Sequence, residues 1–163
     1  MSKPLAFVLL ACAALSVQAA CPSWPTAERF TLSDAEVTDK RTGLTWKRCS
    51  EGQAWSGSTC TGFATSLTHE AALTLAKAAN TSQSATDWRL PNVKELASLA
   101  DKGCFSPTID RTAFPATPGK FFWSSSPYVY RSDAAWVVHF YWGFVDGDSR
   151  GERHPVRLVR ASQ

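Results

Sequence analysis

The 163-residue chain has little charge, no run of Lys or Arg, and three scattered histidines, His69, His139 and His154. Its formal net charge of +3 offers no basic stripe to follow a phosphate backbone, so we expect no nucleic-acid partner. It lacks a Cys-x-x-Cys pair, and we therefore expect no metal site and no cofactor. It also lacks a Gly-x-Ser-x-Gly elbow, which disfavours a hydrolase.

Long hydrophobic runs are missing after the first twenty residues, so we expect no transmembrane segment. Lys3 precedes an apolar stretch at 5–15, and Val17-Gln18-Ala19 resembles a small-residue cleavage site. We predict a signal peptide at 1–20 and a single exported domain at 21–163, placed in the periplasm, at the cell surface or outside the cell. A lipoprotein is the alternative, with its lipid on Cys12 or Cys21.

Five cysteines are present, and Cys12 falls inside the predicted signal peptide. An even number remains, which in an exported chain implies disulfide bonds. Cys49 and Cys60 flank a Gly/Ser-rich segment, so we predict a bridge that closes this loop. The two remaining cysteines, Cys21 and Cys104, are predicted to form the second disulfide bond.

Local patterns predict an α+β domain with two helices followed by a C-terminal antiparallel sheet. The first helix is capped by Ser66 or Thr68, and its expected core stripe is Leu67, Ala71, Leu75 and Ala79. The second begins at a capping box formed by Asn92 and Glu95. Strands are predicted near 30–37, 44–49, 121–125, 136–141, 144–145 and 156–160, with a turn at 142–143.

The segment 135–145 carries the functional prediction. Its alternation places Trp136, Val138 and Phe140 on one strand face and Val137, His139 and Tyr141 on the other. A tight turn cannot direct all the following aromatic rings inward, and exposed aromatic clusters mark recognition surfaces. We predict a non-catalytic binding surface for a protein or glycan, formed by Tyr130, His139, Tyr141, Trp142, Phe144, Asp146, Asp148, Ser149, Glu152 and His154.

Three other groups of residues indicate different roles. A nucleophile at 124–126 paired with His139 or His154 would make a periplasmic enzyme or accessory factor. The carboxylates of Asp146, Asp148 and Glu152 could bind Ca²⁺, but their spacing favours a solvated turn. A salt bridge to Asp110 or Asp87 is expected for the two late arginines, Arg157 and Arg160.

Several segments in fixed order resemble the Lcl C-terminal domain family over about residues 30–160. They are Thr42-Gly43-Leu44-Thr45-Trp46, Trp88-Arg89-Leu90-Pro91-Asn92 with Glu95-Leu96, Ile109-Asp110 with Phe114-Pro115, Trp123-Ser124-Ser125-Ser126, Ala135-Trp136 and Val156-Arg157-Leu158-Val159-Arg160. The resemblance implies an exported module with a C-type-lectin-like fold of the formylglycine-generating-enzyme type, used in binding or adhesion. No cysteine follows Cys104, so the formylglycine-generating activity is not carried over.

The same resemblance implies a possible origin for the tail. Some proteins of this fold are variable targets of diversity-generating retroelements, which change adenine-containing codons and leave framework residues fixed. The variable positions here would be Tyr130, Asp133, Val137, His139, Tyr141, Trp142, Phe144, Asp146, Asp148, Ser149, Glu152 and His154.

Overall fold

The computed structural model describes residues 22–80 and 87–161. Within them the chain is α+β, with short helices and antiparallel sheets. The helices are α1 (Thr26–Arg29), α2 (His69–Ala78) and α3 (Val93–Ser98). The strands are β1 (Phe30–Ser33), β2 (Glu36–Asp39), β3 (Leu44–Lys47), β4 (Ala54–Trp55), β5 (Cys60–Thr61), β6 (Phe121–Pro127), β7 (Ala134–His139), β8 (Val145–Ser149) and β9 (Val159–Ala161). No helix in the described ranges is long and apolar enough to cross a membrane.

The first sheet joins the two ends of the domain, in the order β1-β2-β3-β9. Trp46 lies opposite both Val37 and Val159, and all three side chains are fully buried. The last strand was predicted as part of the C-terminal sheet, and this prediction is wrong. β9 pairs with β3 instead, because that pairing encloses the Trp46 indole between apolar neighbours.

The second sheet has the order β6-β7-β8, and β7 is its central strand. Val138 and Phe140 pack into one core cluster with α3, whereas Ala135 and Val137 pack into another with α2. Both faces of β7 are therefore covered, as expected for a central strand. Trp136, which the alternation places on the same face as the buried Val138 and Phe140, is only half-buried and contacts Tyr128.

Helices α2 and α3 begin at the positions that their predicted capping residues indicate. Thr68 accepts a hydrogen bond from the Ala71 amide, and Asn92 with Glu95 forms a complete capping box. The core stripe of α2 is shifted from the prediction, since Ala72 and Ala76 are buried while Ala71 and Leu75 are half-buried. The small side chains allow α2 to approach the sheet closely at Trp123.

The predicted Cys49–Cys60 disulfide is confirmed, and it closes the small hairpin of β4 and β5. Cys21 lies outside the described residues, so its bridge to Cys104 stays a prediction. The adjoining segment does reach this region, because the Ser23 amide donates to the Asp101 carboxylate at 2.8 Å.

Arg157 is fully buried and makes no bridge to Asp110 or Asp87, contrary to expectation. Its guanidinium donates to the backbone carbonyls of Lys47 and Arg48 and to the Thr117 hydroxyl. Burial lowers the Arg157 pKa to about 9. The arginine thus holds separate chain segments together through neutral acceptors, while Arg160 pairs with Glu36 at 2.7 Å.

Candidate functional site

The candidate site is built on the turn between β7 and β8. Gly143 has φ +77°, and its amide donates to the His139 carbonyl at 2.7 Å. A Cβ at this position would meet Thr108 at 3.2 Å, so glycine suits both the backbone angle and the close approach. The His139 amide donates in turn to the Phe144 carbonyl at 2.9 Å. This tight turn directs the side chains of Tyr141 and Trp142 outward, as predicted.

Four aromatic side chains form an exposed cluster around this turn, which we call the aromatic patch. Their exposed fractions are 73% for Phe105, 55% for Trp142, 41% for Phe144 and 38% for Tyr141. Tyr141 contacts both Phe105 and Trp142 edge to face, with centroids 6.0 and 5.1 Å apart. The patch is therefore one continuous aromatic surface.

His139 forms the floor of the patch rather than part of its exposed surface. Its ring lies nearly parallel to those of Trp142 and Phe144, with centroid distances of 4.8 and 5.3 Å. Phe121 meets the same imidazole edge to face at 4.5 Å. The side chain is only 8% exposed, so it supports the outer rings and offers little surface to a ligand.

The hydrogen bonds of His139 define its protonation state. The Tyr141 amide donates to Nδ1 at 3.1 Å, which requires an unprotonated Nδ1. Burial, and secondarily the charge of His154, lowers the His139 pKa. The imidazole is therefore neutral near pH 7, with its proton on Nε2.

His154 extends the floor towards the core. Its ring lies 5.6 Å from that of Phe121 and 4.7 Å from that of Trp123. Its Nε2 lies 2.7 Å from a carboxylate oxygen of Asp148. Backbone bonds in both directions with Leu67 fix this part of the chain against the start of α2.

Two aspartates continue the site along the edge strand β8. Asp146 pairs with Val137 and Asp148 with Ala135, so both carboxylates project from the sheet face that carries Phe144 and His139. Asp146 Oδ1 accepts the Gly147 amide at 2.7 Å, and Asp148 Oδ1 accepts the Ser149 amide at 2.8 Å. These amides point away from β7, so each aspartate caps a donor on the open edge of the sheet.

The predicted binding residues do not all lie together. Tyr130 is 77% exposed but packs on Tyr128, whose ring covers Trp136 and Gly147 on the opposite face of the sheet. The predicted residues that lie in the patch or on its sheet face are His139, Tyr141, Trp142, Phe144, Asp146, Asp148 and His154. Ser149 is half-buried at the strand end, and Glu152 is exposed in the next turn.

The expectation that Asp146, Asp148 and Glu152 share a solvated turn is wrong for the two aspartates, which lie in strand β8. Within residues 22–80 and 87–161, no group of three or more His, Cys, Asp or Glu side chains is placed to hold a metal. The two β8 aspartates instead accept backbone amides, and Asp148 also meets His154. The carboxylates thus shape the strand edge and its charge.

Sequence reasoning missed Phe105 and Phe121. Phe105 lies in an irregular, Pro-rich segment, where no periodicity indicates its surroundings. The Ser106 amide donates to the Tyr141 carbonyl at 3.2 Å and brings Phe105 against the patch. Phe121 is predicted only as part of a strand, because its position opposite His139 depends on the register between β6 and β7, which alternation within each strand does not give.

The comparisons agree with this architecture. A search of curated proteins finds no match to the chain. The family model of the Lcl C-terminal domain matches residues 35–160, which include β2 to β8, the disulfide hairpin and the whole candidate site. This match points to an extracellular, binding-type domain. The chain belongs to the Lcl C-terminal domain family.

Proposed function

We propose that this protein is an exported, non-catalytic binding domain with a C-type-lectin-like fold, which captures a protein or glycan through the aromatic patch. The observation that carries the proposal is the cluster of Phe105, Tyr141, Trp142 and Phe144, four contiguous aromatic side chains that remain substantially exposed. Exposed aromatic clusters on soluble proteins are typical of recognition sites. Tyr and Trp also supply large contact area at low cost in conformational entropy.

The support beneath the patch favours binding by a preformed surface. His139, Phe121 and His154 make a packed floor, and the neighbouring strand β7 is covered on both faces. Surface rings held in this way lose little freedom when a partner arrives. Preorganisation of this kind increases affinity because less ordering accompanies association.

The surroundings of the candidate nucleophiles favour a non-catalytic role. The Ser124 hydroxyl is buried and donates to the Trp136 carbonyl at 2.7 Å. His69 Nε2 contacts the backbone oxygen of Ser124, at 3.0 Å, rather than its hydroxyl. His139 and His154 are engaged by the Tyr141 amide and the Asp148 carboxylate. A nucleophile with an adjacent base is the arrangement that catalysis would need.

The test compares ligand capture by Trp142→Ala and Phe144→Ala with capture by the unchanged protein, on a glycan array and a displayed peptide library. Phe63→Ala is the matched control, because Phe63 is 94% exposed but lies outside the patch. Tyr130→Ala reports on the opposite sheet face. We expect both patch variants to lose capture while Phe63→Ala retains it. Unchanged capture by both patch variants would refute the proposal.

We further propose that the tail is diversified by a retroelement. Its variable set would include exposed patch residues such as Tyr141 and Trp142, where changes alter recognition without repacking the core. Val137 does not suit that role, because it is a fully buried residue of β7 that packs in the same core cluster as α2. Sequencing the DNA beside the gene tests this idea. A near-copy of codons 128–155 that differs mainly at adenines is expected, and flanks without such a copy would contradict it.

A further inference from the structure

We infer that the partner of the aromatic patch is a polypeptide segment that presents arginine or lysine side chains. This inference rests on the proposed function and deepens it. It joins two features of one sheet face, the exposed rings of Trp142 and Phe144 and the carboxylates of β8. A cation placed over an aromatic ring gains further stabilisation from a neighbouring carboxylate.

Among the charged residues of β8, Asp146 is the nearest in sequence to the aromatic patch. It follows Phe144 by two residues, so both side chains project from the same face of the sheet. Among residues 22–80 and 87–161, no basic side chain lies within salt-bridge distance of Asp146. Its second carboxylate oxygen is therefore available to an incoming cation.

The cations near this end of the sheet are directed elsewhere. Arg131 pairs with Asp133 at 2.8 Å, and Arg150 donates to the Ala134 carbonyl at 3.1 Å. Glu152 and Arg153 are adjacent in the turn and offset one another's charge. Lys120 is exposed and follows Gly119 at the Tyr141 end of the patch, so the acidic rim is confined to the Phe144 end, where Asp146 lies. An anionic partner would meet repulsion there, whereas a cationic partner would be attracted.

The backbone amides on the outer edge of β8 limit the ways in which such a segment can bind. Its outward amides at Gly147 and Ser149 are already occupied by the side chains of Asp146 and Asp148. An extended peptide that added itself as a fourth strand would have to displace these bonds. The partner therefore docks through its side chains, with guanidinium or ammonium groups over the rings.

The test is an NMR titration of the purified protein that follows the Trp142 indole N–H and the Gly147 amide. The first probe is a six-residue peptide that alternates glycine and arginine. The second is the same peptide with citrulline, which keeps the shape of arginine but lacks its charge. The third is chitotriose, a neutral glycan.

We expect the arginine peptide to shift both signals and the other two probes to leave them nearly unchanged. Asp146→Asn keeps an oxygen for the Gly147 amide but removes the charge, and should weaken arginine binding about fivefold. Glu28→Gln is the matched control, since it removes the same charge from α1, and should not alter affinity. Added salt should weaken binding, because exposed ion pairs are screened.

The remaining outcomes would overturn the inference in distinguishable ways. Equal shifts with arginine and citrulline would show that the patch binds without regard to charge, and the proposed function would survive. Shifts with chitotriose alone would assign a glycan partner. Absence of any shift would reject the cationic partner and leave the proposed function to the capture assay. Affinity unchanged by Asp146→Asn would remove the role of the acidic rim.

Discussion

Replacing Trp142 by alanine separates the binding role of this residue from its structural role. Trp142 is 55% exposed, so about 45% of its surface is covered by its neighbours. For a tryptophan of about 250 Å² this is about 110 Å², and at about 25 cal/mol per Å² its burial contributes about 2.8 kcal/mol. A realistic unfolded chain already covers part of this area, which reduces the expected loss to about 2 kcal/mol.

A loss of this size leaves a domain of ordinary stability folded, since such domains unfold with about 5–15 kcal/mol. Urea unfolding followed by fluorescence measures the loss, and capture is then assayed in buffer without urea. Phe63→Ala should cost a few tenths of a kcal/mol at most, because Phe63 is 94% exposed. Comparison of the two variants isolates the contribution of contacts within the patch.

Two results would refute this reasoning. A loss above about 4 kcal/mol would mean that Trp142 acts as a core residue, because values of that size come from large cavities. A loss indistinguishable from that of Phe63→Ala would mean that the Trp142 ring does not stack on His139 in solution. Urea unfolding should show that Trp142→Ala is folded at the temperature of the capture assay. At that temperature, in buffer without urea, the variant should no longer capture the ligand.

Three further predictions concern the support of the site and the framework. The His139 pKa is held below its value of about 6.5 in the unfolded chain, so the unfolded state binds this proton first. The free energy of unfolding should therefore fall as the pH drops below about 6.5, and urea titrations at pH 5 and 7 should show a smaller fall for His139→Gln. Arg157→Met should cost about 2–5 kcal/mol in the same assay, because it leaves buried backbone carbonyls without donors. Opening the bridge between Cys49 and Cys60, whose separation is 11 residues, should cost about 3 kcal/mol, measured by urea unfolding of the double alanine variant.

A specific result would contradict each of these three predictions. A pH dependence that is the same with and without His139 would assign it to other groups, among them His69, whose pKa is also lowered by burial. Arg157→Lys provides a matched control that keeps a donor, and it should recover part of the stability lost in Arg157→Met. Equal losses for both variants would count against the carbonyl contacts as the cause. The disulfide prediction fails if the double variant unfolds at the same urea concentration as the parent.

Local chemistry was predictable from sequence wherever neighbours along the chain decide the structure. Asn92 and Glu95 satisfy each other's backbone amides within one helical turn, so their pattern is sufficient to place the start of α3. The Cys49–Cys60 loop is short enough for its closure to follow from spacing. Gly143 and the rings beside it indicated an outward-facing turn, because a tight turn has room for few side chains inside.

Long-range pairings were not predictable in the same way. The segment after Val156 was assigned to the C-terminal sheet, yet Val159 pairs with Trp46 more than a hundred residues earlier. A strand pattern states which residues alternate, but not which edge the strand will join. The same limit applied to Arg157, whose acceptors are distant backbone carbonyls that carry no side-chain signature.

The sequence by itself determined the α+β class, the helix caps, the hairpin disulfide and an exposed aromatic turn, because each depends on residues close together in the chain. Only the tertiary structure divided the predicted binding set, placing Tyr130 on one sheet face and Phe144 with Asp146 on the other. It also made His139 a buried support and added Phe105 to the patch. These outcomes depend on strand register and on loops that pack across the sheet, and both are set by burial of the whole core.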